Sequence, residues 1–252
     1  MHLEHLSDPS PHLVLPTLID PELYAQLSFP GIPEQAEGRI GRDLYVTDPG
    51  YEEVVQQVGW RDLRGRFTSE DFVQQVVGLF ADDMRAQGCL VDPDRVHLDP
   101  YQETRTQTET NRLSDDHDPN ALFTRFDLQA ATATYGKTPH VDWPRRLVGG
   151  VLFLTSAEDE GMLGGDFGLY IDDDFQNDRV CHSPRLAASY PMRHNSGVLF
   201  LNCNTAFHGP TPITELTGLR KWVYYSISSR RDIWPSAPSR RRPRSRLAKL
   251  FR

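Results

Sequence analysis

Residues 134–155 read "TYGKTPHVDWPRRLVGGVLFLT", a histidine two residues before an aspartate and, just after them, an apolar run containing two glycines. In a strand, residues i and i+2 project to the same side, so His140 and Asp142 are spaced to grip one ion from one edge. The run that follows is rich in Val, Leu, Phe and Thr, residues that suit a half-buried pleated surface. Comparable runs occur at 96–102, 122–135, 165–171, 196–202, 206–209 and 220–228, separated by Gly, Pro, Asp and Asn. Short strands without an intervening helical period predict a mainly β domain, a sandwich or jelly roll, in place of a parallel α/β sheet. The acidic loop 156–165 and the polar stretch 172–190 are then expected at the mouth of the sheets.

The N-terminal part has a different texture. "HLVLPTLIDPELYAQLSF" (12–29) predicts a short strand and then a helix opened by Asp20 as N-cap with Pro21 in its first turn. A short helix is expected near 52–60. A longer one is expected over 67–88, where Phe72, Val76, Leu79, Phe80 and Met84 share a face, Thr68 and Asp71 resemble a capping box and Gly88 ends the run. The expected organisation is α-rich support over 1–95, a β core over 96–229 and a basic tail over 230–252.

Composition excludes several classes. At 25% charged and 38% hydrophobic residues the chain is of ordinary globular make-up. No apolar run is long enough for a transmembrane helix. The start "MHLEHLSDPSPHLVL" lacks the pattern of a secretory signal. Cys89, Cys181 and Cys203 are few and scattered, which argues against a thiolate zinc site and for a reducing, cytoplasmic setting. The net charge of −8 is split: residues 230–252 hold nine of the 27 basic side chains and one of the 35 acids. A body so acidic makes nucleic acid an unlikely partner. The stretch 240–252, with Leu247, Leu250 and Phe251 at helical spacing among arginines, reads either as a disordered end, as a peripheral contact with an anionic membrane, or as an arm for an anionic partner.

Non-haem iron sites that activate oxygen use two histidines and one carboxylate on one face of an octahedron. The second histidine must come from another strand, and His97, His182, His194 and His208 are the candidates. His97 forms a rival pair with Asp99 but precedes the main strand series, and His182 and His194 lie in polar connections. His208 ends a short strand in "SGVLFLNCNTAFHGPTPITELTGLRKWVYYSIS" (196–228), ahead of a last strand that opens with Arg220. Trp143, Arg145 and Arg146 directly follow the ligand pair, as a lining of a substrate entrance or as a solvated loop.

In order and spacing, "YGKTPHVDWPRRLVGGVLFLT", "GGDFGLY", "SGVLFLNCNTAFHGPTPIT" and "GLRKWVYYSIS" resemble the catalytic core of the Fe(II)- and 2-oxoglutarate-dependent dioxygenases, their prolyl-hydroxylase-like branch above all. The resemblance covers roughly residues 123–228. It implies a double-stranded β-helix (jelly roll) with N-terminal helical support and Fe(II) held by His140, Asp142 and His208. It also implies 2-oxoglutarate bound through its distal carboxylate to Arg220, with Tyr135 as a second donor, and O2 as oxidant with ascorbate in support. Hydroxylation of a small-molecule or peptidyl C–H bond, releasing succinate and CO2, is the implied reaction. Arg220 lies 12 residues after His208, slightly beyond the common spacing, which leaves Lys221 as an alternative. Nucleic-acid demethylases of the family carry a second arginine six residues on, where this chain has Ser226. A cupin-like metalloenzyme without 2-oxoglutarate, or a non-catalytic binding jelly roll, are the competing readings.

Overall fold

Alternation along one strand sets the layers. In β11 (Arg220–Ser229) the residues Val223, Tyr225 and Ile227 are fully buried on one side, while Arg220, Trp222 and Tyr224 line a cavity on the other. The computed structural model of the chain describes residues 3–31, 41–104, 116–132 and 135–235.

β11 is central in an eight-stranded sheet. Its neighbours are β5 (Ala121–Ala131) and β6 (Arg146–Phe153); β9 (Ser196–Leu201), β2 (His12–Leu15) and β1 (Glu4–Leu6) extend one side, and β3 (Gly41–Leu44) the other. Every pairing is antiparallel except that of β4 (His97–Leu98), which joins β5 in parallel. A second sheet of three strands, β10 (Phe207–Pro210), β7 (Phe167–Asp172) and β8 (Pro184–Tyr190), supplies the remaining β structure.

The helices cover the apolar side of the main sheet. These are α1 (Pro21–Tyr24), α2 (Tyr51–Val55), α3 (Val58–Phe67), α4 (Glu70–Leu79) and α5 (Ala81–Ala86). Trp60, Leu63, Phe67, Val73, Val76, Val77, Phe80 and Met84 are completely buried, each worth roughly 1.5–3 kcal/mol against exposure. The Tyr225 ring packs edge-on to Phe67 and Phe72, and its hydroxyl donates to the Phe67 carbonyl at 2.8 Å, satisfying an acceptor left over at the end of α3.

Several expectations need correction. The helix expected over 67–88 is two, α4 and α5, broken at Phe80. Its N-cap is Ser69, whose hydroxyl accepts from the Phe72 N–H, whereas Thr68 bonds back to the Arg64 carbonyl. The N-terminal part is not only helical support: β1, β2 and β3 complete both flanks of the main sheet. The strand read at 96–102 shrinks to two residues. The stretch 172–190, expected as loop, contains β8, an exposed edge strand whose small and polar residues give no apolar alternation. The packed chain also runs past 229, since Ile233 and Trp234 are buried and the Trp234 indole donates to the Arg146 carbonyl at 2.7 Å. The basic stretch 240–252 lies outside the described residues. Among those described, no helix is long and apolar enough to cross a membrane.

Tyr225→Phe deletes only the hydroxyl that serves the Phe67 carbonyl. Urea denaturation is expected to show a loss of about 1–3 kcal/mol with an unchanged far-ultraviolet spectrum; a loss below about 0.5 kcal/mol would mean that the carbonyl finds another donor.

Candidate metal centre

Two backbone hydrogen bonds bring the distant histidines together. The His140 N–H donates to the His208 carbonyl at 3.0 Å and the His208 N–H to the His140 carbonyl at 2.9 Å. This is a one-residue antiparallel bridge, so His140 and Asp142 do not sit in a regular strand as expected, while His208 is the second residue of β10. Residues paired this way present their side chains on one face, and the imidazole centroids are 4.5 Å apart.

Each ring is oriented by its own chain. His140 Nδ1 bonds the Thr138 carbonyl at 2.9 Å, and His208 Nδ1 the Ala206 carbonyl at 3.0 Å. A carbonyl only accepts, so both Nδ1 atoms carry a proton, and in the neutral form of each ring Nε2 keeps its lone pair. Those lone pairs face Asp142, at 3.4 Å from His140 Nε2 to Oδ1 and 3.9 Å from His208 Nε2 to Oδ2. His140 Nε2 is buried and has no hydrogen-bond partner. Lone pairs turned on a carboxylate repel it unless a cation lies between them. One ligand atom from each of the three residues lies within 4.8 Å of the others, close enough for a single ion to be shared. Among the described residues this is the one group of metal-ligand type found together.

Asp142 is held by three residues. Its N–H donates to Asn202 Oδ1 at 3.1 Å, and the Asn202 amide donates in turn to the carbonyls of Trp143 and Arg146. The Tyr224 hydroxyl donates to Asp142 Oδ2 at 3.0 Å. The Arg179 guanidinium donates to the Asp142 carbonyl from a left-handed backbone position, φ 64°. Burial pushes the Asp142 carboxyl up, but the adjoining imidazoles in their protonated form, together with Lys137, outweigh it and keep it well below the usual carboxylate range. Burial takes His208 down to about 3, with Asp142 opposing and His140 assisting, so its ring is neutral at physiological pH. Phe200 closes one side, its ring 4.1 Å from that of His208. Gly149 beneath it has no room for a side chain: a Cβ there would meet the Phe200 ring at 2.3 Å.

The centre opens into a cavity of about 430 Å³, and Arg220 lies in its wall. Arg220 is 3% exposed and its Nε donates to the Gly165 carbonyl at 3.1 Å. Its guanidinium lies 4.4 Å from the Trp222 ring and 5.8 Å from that of Tyr135. Burial lowers it to about 10, and it remains a cation at neutral pH. No carboxylate among the described residues pairs with it. Lys221, on the opposite face of β11, is engaged by Glu160 at 2.9 Å.

The other histidines lie elsewhere. His97 is exposed beside the Arg95 carbonyl, while His182 pairs with Asp178 and His194 with Asp159. Trp143, 53% exposed, and Arg146 both line the cavity. Sequence reasoning missed Tyr224, although its offset of four from Arg220 along one strand puts both on the same face. It also missed Asn202 and Arg179, which carry no such signal.

No family model matches the chain, and no curated protein does. Among solved structures it is similar to a prolyl hydroxylase of Trichoplax adhaerens complexed with a hypoxia inducible factor peptide fragment, at 9% identity and TM-score 0.47, covering 86% of this chain and 83% of that one. It is also similar to a prolyl 4-hydroxylase of Phytophthora capsici, at 14% identity and TM-score 0.37, over 75% of this chain and 48% of that one. A third is the Fe(II)/α-ketoglutarate-dependent dioxygenase TqaL, at 13% identity and TM-score 0.36, over 77% and 88%. These neighbours are oxygenases of one chemical type. At such distances the likeness is loose, and the side chains decide what this chain does.

Acid should weaken the metal-free protein through His208. A histidine of the unfolded chain titrates near 6.5, the folded one near 3, so between those values the unfolded state binds more protons and stability falls as pH falls. Asp142, held below its ordinary value, adds to the loss only at more acid pH. Urea midpoints between about pH 6.5 and 4.5 should decline less steeply in His208→Gln than in wild type; equal slopes would assign the acid sensitivity to other groups, such as the buried His12.

Proposed function

We propose that the chain is an Fe(II)- and 2-oxoglutarate-dependent oxygenase built on a double-stranded β-helix, hydroxylating a substrate C–H bond. One observation carries this reading. A two-imidazole, one-carboxylate cluster with its lone pairs converging shares a single cavity with a buried arginine that no carboxylate among the described residues neutralises. A metalloenzyme without 2-oxoglutarate would have no use for that cation, and burying one unpaired costs several kcal/mol.

In this reading His140, Asp142 and His208 hold the ion from one side and leave its other positions open. When bound, iron and 2-oxoglutarate supply an oxidant generated from O2, with succinate and CO2 as by-products. The protein's own residues bind, orient and shield. Arg220 receives the distal carboxylate of 2-oxoglutarate through its planar fork, with the Tyr135 hydroxyl as a second donor. Trp222 stacks on that guanidinium and fixes its plane. Tyr224 holds one oxygen of Asp142 so that the other stays turned to the ion. Phe200 and Phe167 keep water from the His208 side.

Anaerobic titration of the Fe(II)-loaded protein with 2-oxoglutarate should give a metal-to-ligand charge-transfer band. Arg220→Ala should need about 30-fold or more additional 2-oxoglutarate for the same band, as expected when one partner of a buried charge pair is removed, and Lys221→Ala should behave as wild type. A band indifferent to Arg220, or no band in folded, iron-loaded protein, would favour the cupin-like or non-catalytic alternatives.

A further inference from the structure

The cavity has a second cationic region, separate from Arg220. On the face of β5 and β11 that lines it, antiparallel pairing sets Arg125 opposite Ser226, Asp127 opposite Tyr224 and Gln129 opposite Trp222. Arg146, from the start of β6, lies across the same face, donating from one terminal nitrogen to the hydroxyls of Ser226 and Ser228 at 3.3 and 2.9 Å. Arg125 and Arg146 meet on one carboxylate oxygen, Glu103 Oε2, at 3.2 and 2.6 Å, while Arg145 takes Oε1 at 2.9 Å. Three guanidinium groups therefore converge on Glu103, and Arg125 also pairs with Asp127. The side chains of Arg125 and Arg146 are 5% and 2% exposed, and both border the cavity.

The donors of these two arginines are not all used. Arg125 spends Nε on Asp127 and one terminal nitrogen on Glu103, and its second terminal nitrogen has no hydrogen bond among the described residues. Arg146 spends both terminal nitrogens, and its Nε is buried without a partner. The Arg125 guanidinium is held between the rings of Tyr45 and Tyr224, at 4.6 and 5.2 Å. Tyr224 is also the residue whose hydroxyl reaches Asp142, so this region is one tyrosine away from the metal ligands. A guanidinium donor left open at the edge of a cavity favours an anionic occupant.

Resting on the proposed function, we infer that the substrate is a small free acid whose carboxylate is received by the open terminal nitrogen of Arg125, with Arg146 holding Glu103 beside it. The 2-oxoglutarate carboxylate is assigned to Arg220, so the cavity has one anion site for the co-substrate and one for the substrate. Both arginines are almost fully enclosed, so the carboxylate has to reach the wall of the cavity, and a short molecule does so more readily than a polypeptide.

Propionate and its neutral isostere propionamide test this, with binding read by saturation-transfer NMR on the full chain saturated with 2-oxoglutarate. Propionate should bind at least about tenfold more tightly than propionamide, the low end for hydrogen bonds to a charged group. Arg125→Gln should abolish the difference. Arg125→Lys, which keeps the charge but loses the fork, should retain part of it and covers the case in which the glutamine variant misfolds. Arg220→Ala should leave propionate binding in place. Equal affinity of the two probes for wild type would overturn the inference without any variant, and so would loss of propionate binding in Arg220→Ala. A capped tripeptide with a central glutamate carries the same carboxylate on a backbone, and binding as tight as that of propionate would overturn the assignment to a free acid. The readout needs no metal, so failure of the iron and 2-oxoglutarate reading would show separately, in the charge-transfer titration.

Discussion

The reciprocal hydrogen-bond pair between the backbones of His140 and His208 is the constraint on which the centre depends. These residues are 68 apart in sequence. Their two N–H···O=C bonds fix the spacing of the rings, and the Thr138 and Ala206 carbonyls fix the tautomer of each. The two candidate imidazole ligands are therefore set by backbone geometry, and an ion held there would cost little side-chain freedom.

The main sheet then divides the molecule into two environments. Its outer face is apolar and sealed by α3 and α4, with Tyr225 contributing a hydroxyl that caps a helix end. Its inner face carries charge at buried positions, which is stable only where each charge is paired or awaits a ligand. Among the described residues Arg220 has no carboxylate partner on that face, whereas Arg125 and Arg146 share Glu103. This asymmetry in one strand, β11, links folding to function: Val223, Tyr225 and Ile227 make the core, while Arg220, Trp222 and Tyr224 make the cavity.

Much of this was legible in the sequence because the buried strands are nearly continuous runs of β-branched, aliphatic and aromatic residues bounded by Gly, Pro, Asp and Asn. The runs around Val148, Val198 and Val223 were recognised for that reason, and His208 stood out because strong strands flank it. The resemblance of the ordered motifs to the dioxygenase core is what proposes an ion and a co-substrate, which strand composition alone cannot give. The break at Phe80 was not legible, since its side chain continues the apolar face and only the backbone turns. β8 was hidden because an exposed edge strand carries no burial pattern, and β1 and β3 because short flanking strands are decided by the neighbours they join. Arg179 was invisible for a similar reason: a left-handed arginine in a polar loop becomes informative only once the Asp142 carbonyl is seen beside it.

The central claim is that two imidazoles and one carboxylate of this chain bind a single ion through the Nε2 atoms and Asp142. Pulsed electron paramagnetic resonance of the Cu(II)-loaded protein tests it most directly, because the remote Nδ1 of each bound ring gives a resolvable coupling. The account predicts couplings from two inequivalent imidazoles in wild type and from one in His140→Gln. A single imidazole in wild type, or a spectrum unchanged by the substitution, would contradict it.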